Sequence, residues 1–167
     1  MSVILDNRAV WIWLLLTSMV CCSAAQFNCP PGTRPMVTDR GGIREFSCAT
    51  DDSGGTPVEH GPKKVLGPEG QLALEGTLDH GRASGVWTVY FPNGIPAARG
   101  AYALGKRTGQ WTYWKPDGTV RERIEYLEGR AIACTLIARS PAGTEVEIRL
   151  EPEACEARAA AADRIHW

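Results

Sequence analysis

The amino-acid sequence predicts an all-β protein: an elongated antiparallel meander of repeated β-hairpins with disulfide-tied end caps. Three observations predict it. First, the chain repeats itself at a short fixed period. Gly85-Val86-Trp87-Thr88-Val89-Tyr90-Phe91-Pro92-Asn93-Gly94 aligns with Gly109-Gln110-Trp111-Thr112-Tyr113-Trp114-Lys115-Pro116-Asp117-Gly118, each pair 24 apart (109 − 85, 118 − 94). The columns Leu78/Tyr102/Tyr126 and Gly81/Gly105/Gly129 keep the same register. Such a period marks supersecondary units that stack to bury a core. Second, Asn93-Gly94 and Asp117-Gly118 are strong hairpin signals, with both turn residues expected at positive φ. Third, Gly85 to Phe91 is rich in aromatic and β-branched residues, and Ala98, Gly100, Tyr102 and Leu104 share one parity. Equal parity places side chains on one face of a sheet.

The 167 residues suit one domain. Residues 1–25 read as an export signal. Arg8 precedes an apolar stretch from Ala9 to Val20, and Ser23-Ala24-Ala25 follows it. That stretch is shorter than the ~20 residues a spanning helix needs, and small residues before Gln26 suit signal cleavage there. Extracytoplasmic localisation follows: secreted, periplasmic or envelope-associated. Cys21 and Cys22 open the alternative of a lipid anchor, the one route by which a membrane enters.

Residues 26–60 form an N-terminal cap and linker. Gly41-Gly42 is a turn between two extended pieces, Pro35 to Thr38 and Ile43 to Ser47, and Asp51 to Pro57 is a polar linker. Residues 61–130 hold the repeats. In the first copy Lys63 stands where later copies have Trp87 and Trp111, as expected of an atypical terminal repeat. Trp87 and Tyr90 are three apart, as are Trp111 and Trp114. Either both faces carry apolar cover or a bulge restores a shared face. Residues 131–167 form a C-terminal cap. Strand sequence flanks Ser140-Pro141-Ala142-Gly143, and an Ala/Glu-rich tail follows. Four cysteines remain beyond the signal: Cys29, Cys48, Cys134 and Cys155. Exported chains pair such cysteines. The pairs Cys29–Cys48 and Cys134–Cys155 each fall on one side of the repeats.

The pattern G-x-W-x-x-[YW]-x-P-[ND]-G followed by G-x-Y-x-x-G-K-x-x-G, the latter at Gly100-Ala101-Tyr102-Ala103-Leu104-Gly105-Lys106-Arg107-Thr108-Gly109, resembles the MORN-repeat family in its bacterial variant form. Some members of that group carry an antitoxin label. The resemblance covers about residues 61–130. It implies an elongated antiparallel sheet used mainly for protein contacts, and it brings no catalytic residue.

Function is less legible. Lys+Arg number 18 against 19 Asp+Glu, which lacks the basic footprint of a nucleic-acid binder. His60, His80 and His166 are scattered, and no C-x-x-C occurs, so no metal site is expected. Asp79, Glu75 and Glu69 have no counterpart pair in the next copy, and read as solvated charge rather than an acid–base pair. No catalytic residue and no cofactor is expected, and no enzyme. The candidate partner-binding residues are Trp87, Tyr90, Trp111 and Trp114, since exposed aromatics anchor interfaces. Their competing role is the core of a single-layer sheet. The glycine columns read as backbone geometry and close ring packing rather than a ligand groove. The expectation is an exported, non-enzymatic binding or scaffold module of the bacterial envelope. Its partner would be a protein or an envelope component.

Overall fold

The structure, a computed structural model, describes residues 27–162. The export signal with Cys21 and Cys22, and His166, lie outside the described residues. Ten strands follow one another: β1 (Arg34–Arg40), β2 (Ile43–Asp51), β3 (Pro57–Leu66), β4 (Leu72–Asp79), β5 (Arg82–Tyr90), β6 (Pro96–Ala103), β7 (Lys106–Trp114), β8 (Val120–Leu127), β9 (Arg130–Arg139) and β10 (Glu145–Leu150). Each pairs antiparallel with the next in one ten-stranded sheet. At the usual strand spacing the sheet is roughly 45 Å across. A helix, α1 (Pro152–Ala162), follows β10. The polar stretch expected as a linker closes as a tight turn, with Asp52 N bonded to Thr56 O at 2.9 Å. The sheet therefore runs unbroken from the cap into the repeats.

Alternate turns lie at opposite ends of the strands and are of two kinds. The cap is the exception, with a two-residue Gly41-Gly42 turn (φ 62° and 86°) at the first end and a three-residue loop at 52–56 at the other. Along the rest of the sheet, three-residue loops occupy the first end, around 67–71, 91–95, 115–119 and 140–144. In the second of the repeats Gly94 N donates to Phe91 O (2.9 Å) and Phe91 N to Ile95 O (2.8 Å). Only Gly94 and Gly118 take positive φ, at 80° and 83°; Asn93 and Asp117 do not. This corrects the two-residue turn expected there. The proline ring locks φ at the value that the first central position of a type I turn requires. Pro92 and Pro116 thus move the turn one residue upstream, leaving a three-residue loop that ends on a left-handed glycine. At the other end, Leu104-Gly105 (φ 51° and 79°) and Glu128-Gly129 (50° and 86°) have the paired positive φ of a two-residue hairpin turn, as does His80-Gly81 (46° and 78°). Each of these glycines also donates its N–H to the preceding repeat. Gly81 N reaches Glu59 O at 2.7 Å, Gly105 N reaches Ala83 O and Gly129 N reaches Arg107 O, both at 2.9 Å. Backbone bonds therefore clamp each repeat to the one before it.

A bulge recurs with the same period. Gly76 on β4 is opposed by the three residues Gly85, Val86 and Trp87, because Glu75 pairs with Thr88 and Thr77 with Ser84. Gly100 is opposed in the same way by Gly109, Gln110 and Trp111. Cys48 is opposed by His60, Gly61 and Pro62. The leading glycines Gly61, Gly85 and Gly109 sit at positive φ, where a residue with a Cβ is disfavoured. The bulge delivers each tryptophan back over the glycine of the preceding strand. A Cβ placed on Gly76 would fall inside the Trp87 indole, and one on Gly100 inside the Trp111 indole. Each indole N–H then bonds a backbone carbonyl across the bulge: Trp87 Nε1 to Thr77 O at 3.1 Å, Trp111 Nε1 to Ala101 O at 3.0 Å.

The core lies on this face. Trp87, Val89, Ala98, Trp111, Tyr113, Ile124 and Tyr126 are buried, and Leu74, Phe91 and Tyr102 pack against them. The rings alternate along the sheet. Tyr102 meets Trp87 edge-on at 5.9 Å and Trp111 at 5.1 Å between centroids, and Trp111 meets Tyr126 at 6.3 Å. Edge-to-face contacts at such distances are favourable beyond the area they bury. The Arg107 guanidinium covers Trp111 at 4.7 Å and Tyr126 at 5.4 Å, so its stem and charge roof the aromatic row. Beyond β8, helix α1 supplies the roof. Cys155 and Ala159 are buried in the core cluster, and Arg158 Nε bonds the buried Glu122 carboxylate at 2.6 Å. Arg121 holds the other carboxylate oxygen at 2.7 Å, so the buried charge is satisfied on both sides.

Candidate functional site

Both cysteine pairs join as expected. Cys29 is bonded to Cys48 with Cα atoms 5.6 Å apart, and Cys134 to Cys155 at 5.5 Å. The first fastens the segment before β1 onto β2. The second fastens α1 onto β9.

The four candidate aromatics divide by face. Against β6 the register shifts between Val89 and Tyr90, leaving Ala97 as the extra residue on β6. Tyr90 reaches Glu75, the partner of Thr88 across β4, so it shares the face of Thr88, opposite to Trp87. Both faces carry aromatic cover, which resolves the alternative left open by the spacing. Trp87 is 8% exposed and Trp111 2% exposed, both in the core. Tyr90 and Trp114 are half-buried. The Tyr90 hydroxyl donates to Glu75 Oε1 at 2.7 Å. Burial and the Glu75 carboxylate both push the Tyr90 phenol above its ordinary value. Lys63, in the tryptophan column of the first copy, bonds Glu59 at 3.1 Å and Glu45 at 3.2 Å. Burial opposes its charge, but the two carboxylates outweigh that and raise its pKa.

Depressions recur along the end of the sheet that bears the three-residue loops. A cavity of about 320 Å³ is walled by Ile43, Val65, Leu72, Tyr90, Phe91 and the loop prolines Pro68 and Pro92. A smaller one of about 110 Å³ is lined by Lys115, Asp117, Thr119, Val120, Arg139 and Glu145, among others. The two are equivalent positions two periods apart. Lys115 corresponds to Gly67, Val120 to Leu72 and Arg139 to Phe91 (115 − 67, 120 − 72 and 139 − 91 are each 48). The same notch is therefore apolar in the first repeats and charged in the last. Between them, Asn93 Nδ2 bonds Pro116 O at 2.8 Å and ties adjacent loops together. In the charged notch, the Thr119 hydroxyl and N–H both donate to Asp117 Oδ1 (2.6 and 2.9 Å) and hold that carboxyl below the usual aspartate range. The sequence offered Tyr90 as a candidate. The other wall residues were not singled out, because the notch arises from loop ends two strands apart.

At the other end of the strands the fold joins residues that the sequence left apart. His60 lies in the bulge of β3, and Asp79 and His80 at the turn between β4 and β5. The imidazole rings of His60 and His80 meet at 4.6 Å. Asp79 Oδ1 lies 3.4 Å from His60 Nδ1 and 2.7 Å from His80 Nδ1. The expectation that the histidines are scattered is corrected for these two. They are distant in the sequence, but β3 and β4 are antiparallel neighbours and the Gly81–Glu59 backbone bond brings the turn beside the bulge.

No family model matches the chain, and no curated protein matches it. Among solved structures the chain is similar to one described as the Glycosylation Associate Protein (Gap123) complex from Streptococcus agalactiae. The sequence identity is 18% and the TM-score 0.38. The match covers 83% of this chain and 25% of that one.

Proposed function

We propose that this chain is a non-enzymatic binding module of the MORN-like repeat type, working outside the cytoplasm on a protein or envelope component. The observation that carries the reading is the row of equivalent notches at the loop end of the sheet, apolar at Val65, Leu72, Tyr90 and Phe91 and charged at Lys115, Asp117, Arg139 and Glu145. Repeat stacks present extended surfaces of this kind. An extended partner laid across the repeats would place an apolar residue in the first notch and a polar one in the last. Two disulfides support an oxidising compartment. Supporting a non-catalytic role, the shifted ionisations have structural partners: Asp51 bonds Arg34, Tyr90 bonds Glu75 and Asp117 bonds Thr119.

Photo-crosslinking tests this reading. A benzophenone side chain is placed at Tyr90 or at Leu127, which is exposed at the opposite end. Irradiation in the producing cells should give an adduct from position 90 and none from position 127. Adducts from position 127 alone, or from neither, would remove the loop-end surface as the binding site. Intact mass of the exported protein checks the compartment. A chain beginning at Gln26 is expected, and a lipidated Cys21 or Cys22 would place the module on a membrane.

A further inference from the structure

We infer that His60, Asp79 and His80 form a binding site for a first-row divalent cation of the zinc type. Neutral imidazole nitrogen and carboxylate oxygen are the donors such ions take, at about 2.0–2.2 Å. Ligand atoms around a tetrahedral ion then lie roughly 3.3 Å apart, from the same bond lengths. The three donor atoms lie within 4.8 Å of one another, and the His60 Nδ1 to Asp79 Oδ1 separation is 3.4 Å. An ion requires only that His80 Nδ1 move out from its 2.7 Å contact with the carboxylate. His60 Nδ1 now accepts a 3.4 Å hydrogen bond from His80 N, which the ion would displace.

The repeats supply an internal control. Position 60 corresponds to Ser84 and Thr108, position 79 to Ala103 and Leu127, and position 80 to Leu104 and Glu128, at offsets of 24 and 48. All three ligands converge in one copy, and in no other copy do these positions carry more than one. The chain has three histidines, and the two described ones touch ring to ring. The bulge and the Gly81 N–Glu59 O bond of 2.7 Å fix the backbone on both sides, as a preorganised site requires. The site is open. Asp79, His80 and Arg82 line a cavity of about 280 Å³ beside it, leaving room for water as a fourth ligand, as in sites with three protein ligands.

Calorimetric titration of the full, tag-free mature chain with ZnCl₂ at neutral pH tests the site. One equivalent should bind saturably. His60→Ser, Asp79→Ala and His80→Asn should each weaken binding at least tenfold. These replacements are chosen to fold: serine and alanine stand at the equivalent places of the next copy, and asparagine tolerates the left-handed φ of residue 80. Circular dichroism of each variant should match the parent. Glu128→Gln, in the equivalent turn two repeats on, and His166→Ala should bind like the parent. The inference is overturned if the parent takes up no zinc, if the three variants bind it equally well, or if His166→Ala abolishes uptake.

Discussion

At the scale of single residues, the pairing of tryptophan with glycine explains most about this chain. Gly76 precedes Trp87 by 11 positions and Gly100 precedes Trp111 by 11 (87 − 76, 111 − 100). In the next copy Ile124 replaces the glycine and Thr135 the tryptophan. Where there is no indole to lie on the strand, the strand can carry a side chain. The glycine column was legible in the sequence as ring packing. Its specific partner was not, because the bulge that aims the indole backwards is a backbone event. Gly100→Ala should therefore destabilise the fold by about 3 kcal/mol, the cost of forcing a methyl group into a packed ring. Urea denaturation measures it. A change under about 0.5 kcal/mol would mean that the indole has another place to go. The return turns offer the opposite change. Leu104 sits at φ 51° and is 74% exposed, so it carries left-handed strain and buries little. Leu104→Asn should stabilise by about 0.5–1 kcal/mol, because asparagine suits the first position of this turn. A thermal melt that falls rather than rises would show that Leu104 has a packing role.

At the scale of elements, the strands and the Cys134–Cys155 tie of the cap were legible, and helix α1 was not. β10 forms where Val146 and Ile148 alternate with Glu145, Glu147 and Arg149, but Val146 and Ile148 stay exposed like those neighbours, so its alternation marks a strand without a buried face. Helix α1 has no apolar stripe to announce it. It is held instead by the Cys134–Cys155 bond and by the Arg158–Glu122 pair. The cysteine pair was read from the cysteine count, but Glu122, the partner of Arg158, lies on β8, beyond the reach of local periodicity. An element tied by two points rather than by a face should loosen when one is cut. Cys155→Ser should expose the amides of 152–162 to rapid hydrogen exchange, while the repeats between Gly76 and Ile124 keep their protection. The expected loss of global stability is about 3 kcal/mol for a closed loop of this length. Protection in α1 equal to that of the parent would mean that its packing on β9 suffices. The turns teach a related lesson. Asn-Gly and Asp-Gly marked the right places, but the prolines before them selected a different loop. The His-Gly, Leu-Gly and Glu-Gly pairs took the geometry that Asn-Gly usually claims.

At the scale of the whole molecule, a sheet without a second layer divides its work between two regions. One face is consumed by the aromatic row that holds the repeats together. The strand ends, where loops of successive repeats line up, remain available. Of the four aromatics that the sequence offered for binding, Trp87 and Trp111 lie in the row, and Tyr90 walls the apolar notch. Sequence parity separated these two sets. It could not say which set is buried, because that depends on Arg107 and α1 closing over one face. The most direct measurement is equilibrium unfolding of Trp111→Ala beside Tyr90→Ala, with each variant scored for recovery of the partner trapped from the loop end. Trp111→Ala is expected to lose about 3–5 kcal/mol, as for a large buried ring. Tyr90→Ala is expected to unfold within about 1 kcal/mol of the parent and to lose the partner. The contradictory result is a Trp111→Ala chain that unfolds like the parent but no longer holds its partner, which would make the aromatic row itself the binding surface.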